Sequence, residues 1–390
     1  MESFNMDIPT HLIFGAGALN KLGEQNLPGN KAMIVISCGK STRANGYLDR
    51  TVEQLKKAGV ESIIYDKVQP NPTKNNVMEG AAMAKAAGVD FLVALGGGSV
   101  IDASKGMAIM CSNTGDLWDY VKTGTGKGYP IKNKPIPLVA ISTTSGTGSE
   151  VDSGGVITNE DTHEKTGTGS PDGFPCLAIE DIELMTTVPP MYTAYQGFDA
   201  LTHSMEGYIT NVANYLSDMY AITAIENVSH YLPRAIKNGN DMEAREHVAF
   251  GNVLSGMVMC VGSTSSQHSM EHAMSAYHPD LPHGAGLIML SRSYFRHFID
   301  IHACDDRFIK MARTMGMESA ASPYDFLTVL DKFLYDCGVG ELKMSDYGIT
   351  PDEFDKMADN AMGPMGFKFD KDRVRMSKQE VIDIYMDAYR

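Results

Sequence analysis

No apolar stretch in the sequence is long enough to cross a bilayer, so no transmembrane helix and no membrane partner are expected. The opening, MESFNMDIPTHLIFGAGAL, lacks a basic segment ahead of an apolar core, which argues against a secretory leader. Positive charge is scarce: 33 Lys and Arg stand against 48 Asp and Glu, a formal net charge of −15. Such an excess of carboxylates disfavours nucleic acid as a partner and repels anionic membranes. The six cysteines (Cys38, Cys111, Cys176, Cys260, Cys304 and Cys337) form no CxxC pair. Neither a thiolate zinc site nor a disulfide framework is therefore indicated, and a reducing cytoplasm suits them best. Internal repeats and low-complexity tails are missing too. What is present is 390 residues, 43% hydrophobic and 21% charged, the make-up of a globular protein. That length exceeds one ordinary core, so two domains are expected. The 26 methionines suit adaptable core filling.

Short apolar runs alternate with amphipathic stretches in the first half. Strands are expected at Ala32–Ser37, Ser62–Tyr65, Phe91–Leu95 and Leu138–Ser142, with helices at Tyr47–Ala58 and Asn75–Ala87. This βαβα rhythm implies a mostly parallel sheet covered by helices. HLIF, before Gly15, reads as an additional strand whose partner the sequence does not give. At Val188-Pro189-Pro190 the texture changes. Beyond it β-branched runs nearly vanish, and Phe198, Leu201, Met205 and Tyr208 recur at helical spacing. The expected architecture is an α/β dinucleotide-binding domain over 1–188 and an all-α domain over 189–390.

The strand Phe91–Leu95 runs into Gly96, Gly97, Gly98 and Ser99, followed by a helical stretch for which Ser99 is the expected cap. Backbone N–H groups at such a helix start favour a phosphate or pyrophosphate, and Asp102, one turn in, can reach a ribose or amide. A second loop, from Ser142 to Glu150, follows the strand LVAIS and carries Thr143, Thr144 and Thr147 among its hydroxyl groups. In a doubly wound sheet both loops lie at the carboxyl ends of strands, where nucleotides bind. Two other glycine clusters fail their patterns. GAGALN near residue 15 has Asn20 in place of the third glycine, and Gly124–Gly128 lacks the hydroxyl after its lysine.

The chemistry points to the second half. Asp199 and His203 are four residues apart in GFDALTHSMEG, which puts a carboxylate and an imidazole on one helical face. His268 and His272 repeat that spacing, and His283 follows Pro282. Any one of the 11 histidines is ordinarily a surface or core residue, but two i, i+4 pairs with a further histidine make a divalent-metal site the better reading. Iron, zinc, nickel and manganese all accept such a donor set.

GGGSVIDASK, STTSGTGSE, GFDALTHSMEG and HSMEHAMSAYHPDLPHG, in that order, resemble the iron-containing (group III) alcohol dehydrogenase family over most of the chain. The resemblance implies a dehydroquinate synthase-like fold, with an N-terminal dinucleotide domain and a helical metal domain, in a homodimer or larger homo-oligomer. It implies that Asp199, His203, His268 and His283 hold Fe2+, or Zn2+ in its place. His272 corresponds to a further family histidine close to the metal but not bound to it, a candidate to relay the hydroxyl proton. One departure stands out: the stretch from His272 to His283 runs slightly longer than the family pattern and adds His278 beside Pro279. His278 is thus a competitor for the place of His283, which the Pro282-His283-Gly284 match favours.

NAD users place a carboxylate after the second strand to bind the ribose 2′-OH. Here AMIVIS is followed by Cys38, Gly39, Lys40 and Ser41, which offer room, positive charge and a donor. This resembles the NADP-preferring branch, so NADP(H) is expected ahead of NAD(H). Asn71 and Lys165 match family positions that touch the nucleotide. The implied activity is reversible hydride transfer between nicotinamide and small alcohols or aldehydes of the butanol, 1,3-propanediol or lactaldehyde type. A metal- and nicotinamide-dependent lyase of the dehydroquinate synthase kind is the second class to consider. It must bind a phosphorylated, carboxylated sugar, and the segment from Asp199 to Gly284 is poor in Lys and Arg near its donors.

Overall fold

The computed structural model describes residues 4–390, so the first three residues of the segment read for a leader lie outside it. The chain forms two compact units, Ile8–Thr187 and Val188–Arg390, with residues 4–7 grouping with the latter. The change comes where two prolines fall together. Pro189 is the extended residue ahead of a helix and Pro190 opens it, where a missing N–H costs nothing.

The first unit holds eight strands: β1 (His11–Phe14), β2 (Lys31–Ser37), β3 (Glu61–Val68), β4 (Phe91–Gly96), β5 (Leu138–Ser142), β6 (Gly154–Asn159), β7 (Glu164–Gly169) and β8 (Leu177–Glu180). Its helices are α1 (Ser41–Ala44), α2 (Tyr47–Lys57), α3 (Lys74–Ala87) and α4 (Gly98–Ser112). Six strands make one sheet in the order β1-β8-β5-β4-β2-β3, all parallel. Both faces are covered. Ala32, Ile34 and Ile36 of β2 pack with Leu22, Leu48 and Leu55 on one side, and Met33 and Val35 pack with Val77, Ala81 and Met107 on the other. Burial on two faces is why these strands read as continuous apolar runs. HLIF is indeed a strand, and its partner is β8 in parallel register, His11 opposite Leu177. Helix α3 shows how locally its ends are set. Thr73 caps it in a reciprocal box with Asn76, and Gly88 closes it at φ 62°.

The strands β6 and β7 were not anticipated. They form a separate antiparallel hairpin, Gly154 opposite Gly169 and Asn159 opposite Glu164. Its residues, GGVITN and EKTGTG, are rich in glycine and threonine; β6 buries every second residue, but these are Gly155, Ile157 and Asn159, so no apolar periodicity announces the hairpin.

Among the described residues the second unit is all helix: α5 (Pro190–Ile209), α6 (Tyr215–Lys237), α7 (Met242–Val261), α8 (Ser266–Tyr277), α9 (His283–Asp300), α10 (Asp305–Thr314), α11 (Tyr324–Asp336), α12 (Phe354–Met362) and α13 (Lys378–Ala388), with short 3₁₀ turns between them. Helix α5 runs through the middle, packed on α6, α7 and α9, and from Thr193 onward nearly every side chain is buried. A helix apolar on all sides belongs inside a protein. Polar residues on such a helix must therefore find partners within the protein, and Asp199, His203 and Glu206 are the ones that matter below.

Candidate metal centre and nucleotide loops

Asp199 and His203 lie one turn apart on α5, His268 and His272 one turn apart on α8, and His283 is the first residue of α9. These helices bring the side chains together. From Oδ1 of Asp199, Nδ1 of His203 is at 3.3 Å, Nε2 of His268 at 3.5 Å and Nε2 of His283 at 3.6 Å. Two ligands at about 2.1 Å on a tetrahedral ion stand about 3.4 Å apart, so these separations suit donors sharing one cation. Oδ1 of Asp199, Nδ1 of His203 and Nε2 of His268 are all buried without a hydrogen-bond partner. Buried polar atoms are ordinarily satisfied, and three unpartnered ones gathered this closely are a donor set that a cation would satisfy. Donor atoms of Asp199, His268 and His283 all fall within 4.8 Å of one another. His203 stands outside that tightest group, its ring tilted over that of His268 at 4.3 Å. The residues fit a divalent transition metal.

Charge in this pocket follows from burial and proximity. Burial resists ionisation of Asp199, but the imidazoles, His203 foremost, hold its carboxyl down at about 2. Burial drives His203 down to about 3, which keeps the ring neutral and a lone pair available. His268 is opposed by burial as well, yet Glu206 and Asp199 carry it up to about 9.

His272 is buried beside the donors, its ring 5.4 Å from that of His283 and 6.3 Å from that of His268. It is not in the group around Asp199. It belongs instead to a second trio, Glu271, His272 and His283, whose donor atoms also lie within 4.8 Å. The competitor His278 is elsewhere: its Nε2 meets Oε2 of Glu353 at 3.1 Å.

Two residues that the sequence reading passed over complete the arrangement. Glu206 accepts from the backbone N–H groups of Ser265 and His268 and from Nδ1 of His268 at 2.8 Å. Glu271 accepts from Nδ1 of His283. A signal for them did exist, since the tetrapeptide His-Ser-Met-Glu occurs twice, at 203–206 and 268–271. Lys368 was also missed; its charge acts on His203 from the turn Gly366–Lys371.

In the other unit the two expected loops meet. Helix α4 begins at Gly98, and its cap is the extended Gly97 rather than Ser99, which lies inside the first turn. The reason is room: a Cβ on Gly97 would stand 2.6 Å from Oγ1 of Thr144, and one on Gly98 2.3 Å from Cγ2 of Thr147. Thr143 N–H donates to the carbonyl of Gly96, joining the loops through their backbones. Asp102 accepts from Ser149 Oγ at 2.6 Å and Val156 N–H at 2.8 Å. It therefore ties α4 to β6, and burial lifts its carboxyl to about 6. Lys165 and Asn71 are neighbours, Nζ donating to Oδ1 at 3.1 Å. Past β2, a cavity of about 490 Å³ is lined by Ser37, Cys38, Gly39, Lys40, Arg43 and Asp66. Ser41, the first residue of α1, follows directly.

A covered parallel sheet with glycine loops at its carboxyl ends, joined to a helical unit that gathers one carboxylate and several imidazoles, defines a metal- and nucleotide-dependent enzyme. The family model for iron-containing alcohol dehydrogenase matches residues 9–182, and that for the C-terminal part of the Fe-containing alcohol dehydrogenase family matches residues 193–389. The 1,3-propanediol dehydrogenase of Klebsiella pneumoniae is 32% identical, covering 99% of each chain. The probable NADH-dependent butanol dehydrogenase 1 of Bacillus subtilis is 33% identical over 98% of this chain and 99% of its own. Among solved structures, an archaeal halo-thermophilic Red Sea brine pool alcohol dehydrogenase superposes with a TM-score of 0.93 at 32% identity, covering 100% of this chain and 99% of its own. The chain belongs to the iron-containing alcohol dehydrogenase family. It is an oxidoreductase that uses iron and a nicotinamide cofactor to interconvert alcohols and aldehydes, and the lyase reading gives way to this one.

Proposed function

We propose that the helical unit, 189–390, holds the metal through Asp199, His203, His268 and His283, while the α/β unit, 1–188, binds the dinucleotide. The observation that carries the metal assignment is the convergence of buried, unpartnered donor atoms on Asp199. Iron bound there supplies Lewis acidity that makes the hydroxyl of an alcohol easier to deprotonate. The chain's own residues do the rest. His272 would take the hydroxyl proton, and the nicotinamide, when bound, would supply the acceptor for the hydride of the alcohol. Gly97, Gly98 and Ser99 present backbone at the start of α4 to the pyrophosphate, with Thr143, Thr144 and Thr147 alongside and Asp102 fixing the helix from beneath. Asn71 and Lys165 contact the rest of the nucleotide. A small aliphatic substrate is the reading we favour, since relatives carry names for 1,3-propanediol and butanol dehydrogenases. The six free cysteines support a reducing cytoplasm, and a homodimer is the proposed assembly. In the test, butyraldehyde and purified enzyme of known iron content are mixed with each reduced cofactor and absorbance is followed. Stoichiometric consumption of NADPH is expected; no consumption with either cofactor after iron loading would sink the proposal.

NADPH over NADH is the finer part of the proposal. No carboxylate follows β2, and Lys40 and Arg43 line the cavity there. Asp66 also faces it, held by Arg43 at 2.7 Å. The preference predicts the behaviour of Gly39→Asp. A Cβ at Gly39 meets only Ser37 Oγ at 3.4 Å, so the fold tolerates the change. The new carboxylate repels a 2′-phosphate and accepts from a 2′-OH, so KM for NADPH rises at least about tenfold while that for NADH holds or falls. Unchanged NADPH kinetics in this variant would place the phosphate elsewhere.

A further inference from the structure

Glu271 is fully buried on α8, between His268 and His272 in sequence. It accepts from Nδ1 of His283 at the start of α9. The opposite ring nitrogen, Nε2, faces Asp199 Oδ1 at 3.6 Å. A carboxylate on Nδ1 keeps the proton there, so the lone pair on Nε2 is presented towards Asp199. The fold makes space for this contact. Position 286, one turn into α9, is glycine, and a Cβ there would stand 2.7 Å from Cγ of Glu271. The contact also has a counterpart: Glu206 holds Nδ1 of His268 in the same way, leaving Nε2 turned to the same oxygen at 3.5 Å. A buried carboxylate is costly unless paired, so a charge placed here rather than a neutral acceptor requires an explanation.

We infer that Glu271 is a positioning residue, which fixes the tautomer and ring plane of His283 and so tightens metal binding without ligating the ion. This rests on the reading of His283 as a ligand. The alternative is that Glu271, His272 and His283 themselves hold an ion, since their donor atoms lie within 4.8 Å of one another. Substitutions separate the two. Glu271→Gln keeps a carbonyl that accepts from Nδ1; Glu271→Met fills the space with no acceptor, and Glu271→Ala removes the side chain.

The measurement is Zn2+ affinity of the full-length, metal-stripped protein, by competition with a chromogenic chelator. Thermal melting of the stripped forms reports folding. Positioning predicts that Glu271→Ala and Glu271→Met bind Zn2+ about ten- to a hundredfold more weakly, whereas Glu271→Gln stays within about threefold of the parent. If Ala does not fold, Met carries the comparison. Equal affinity in Met and parent overturns the inference and leaves Glu271 as packing. Equal loss in Gln and Met also overturns it and makes Glu271 a ligand. His283→Ala is the control. If that variant keeps full affinity, the ligand set fails and the inference with it; if it loses affinity while Glu271→Met does not, only the positioning role fails.

Discussion

Asp199→Ala is expected to leave a protein that retains no metal and oxidises alcohols at least about 10³-fold more slowly, several kcal/mol of transition-state stabilisation being lost. Three imidazoles face this one oxygen, at 3.3 to 3.6 Å. Without it the remaining donors are neutral nitrogens, and the neighbouring carboxylates, Glu206 and Glu271, are turned to the far sides of the rings. The loss should stay local. Asp199 belongs to the helical unit, and the glycine loops of the other unit are built from contacts among their own residues, Gly97 with Thr144 and Gly98 with Thr147. Affinity for the reduced nicotinamide cofactor, measured by nucleotide fluorescence, should therefore persist. Elemental analysis decides the matter: a stoichiometric metal content in the purified variant would contradict the assignment.

Replacing His272 with Ala should lower kcat by about 10²- to 10⁴-fold, the range for removing a general acid–base group, while metal content stays close to that of the parent. The ring lies 5.4 Å from that of His283, near the donors yet outside the group around Asp199. Added imidazole should restore part of the rate, because it can occupy the vacated space and carry the proton. Loss of metal would instead promote His272 to a ligand alongside Glu271 and His283. Turnover and metal content together thus distinguish relay from chelation, which activity alone would not.

The parts of this molecule that the sequence discloses are those encoded over short distances. Strands β2, β4 and β5 show themselves because both faces are covered, which forces unbroken apolar runs. The pair Asp199 and His203 is visible because a helix turns a spacing of four into a shared face. Glu206 escapes that logic. On the linear chain a glutamate in a helix suggests a solvated surface, and its partner His268 lies 62 residues away on another helix. Glu271 reaches 12 residues forward, across a loop, to His283. The partner of β1 and the hairpin β6–β7 are likewise products of tertiary pairing rather than of local pattern. Ser99 misled in a different way: a serine beside glycines looks like a cap, but crowding by Thr144 gives that place to Gly97.

Helix α9 is seated by its glycines. At Gly284 a side chain would strike the carbonyl oxygen of Tyr195 on α5, 2.2 Å from the would-be Cβ, and at Gly286 it would strike Glu271 on α8. Main chain resting on main chain works as a gauge block. At Gly284 the approach is to atoms that have no rotamers to change, which holds the start of α9, and with it His283, close to α5. On the connection between α8 and α9 His278 is turned onto Glu353, while His283 reaches Asp199.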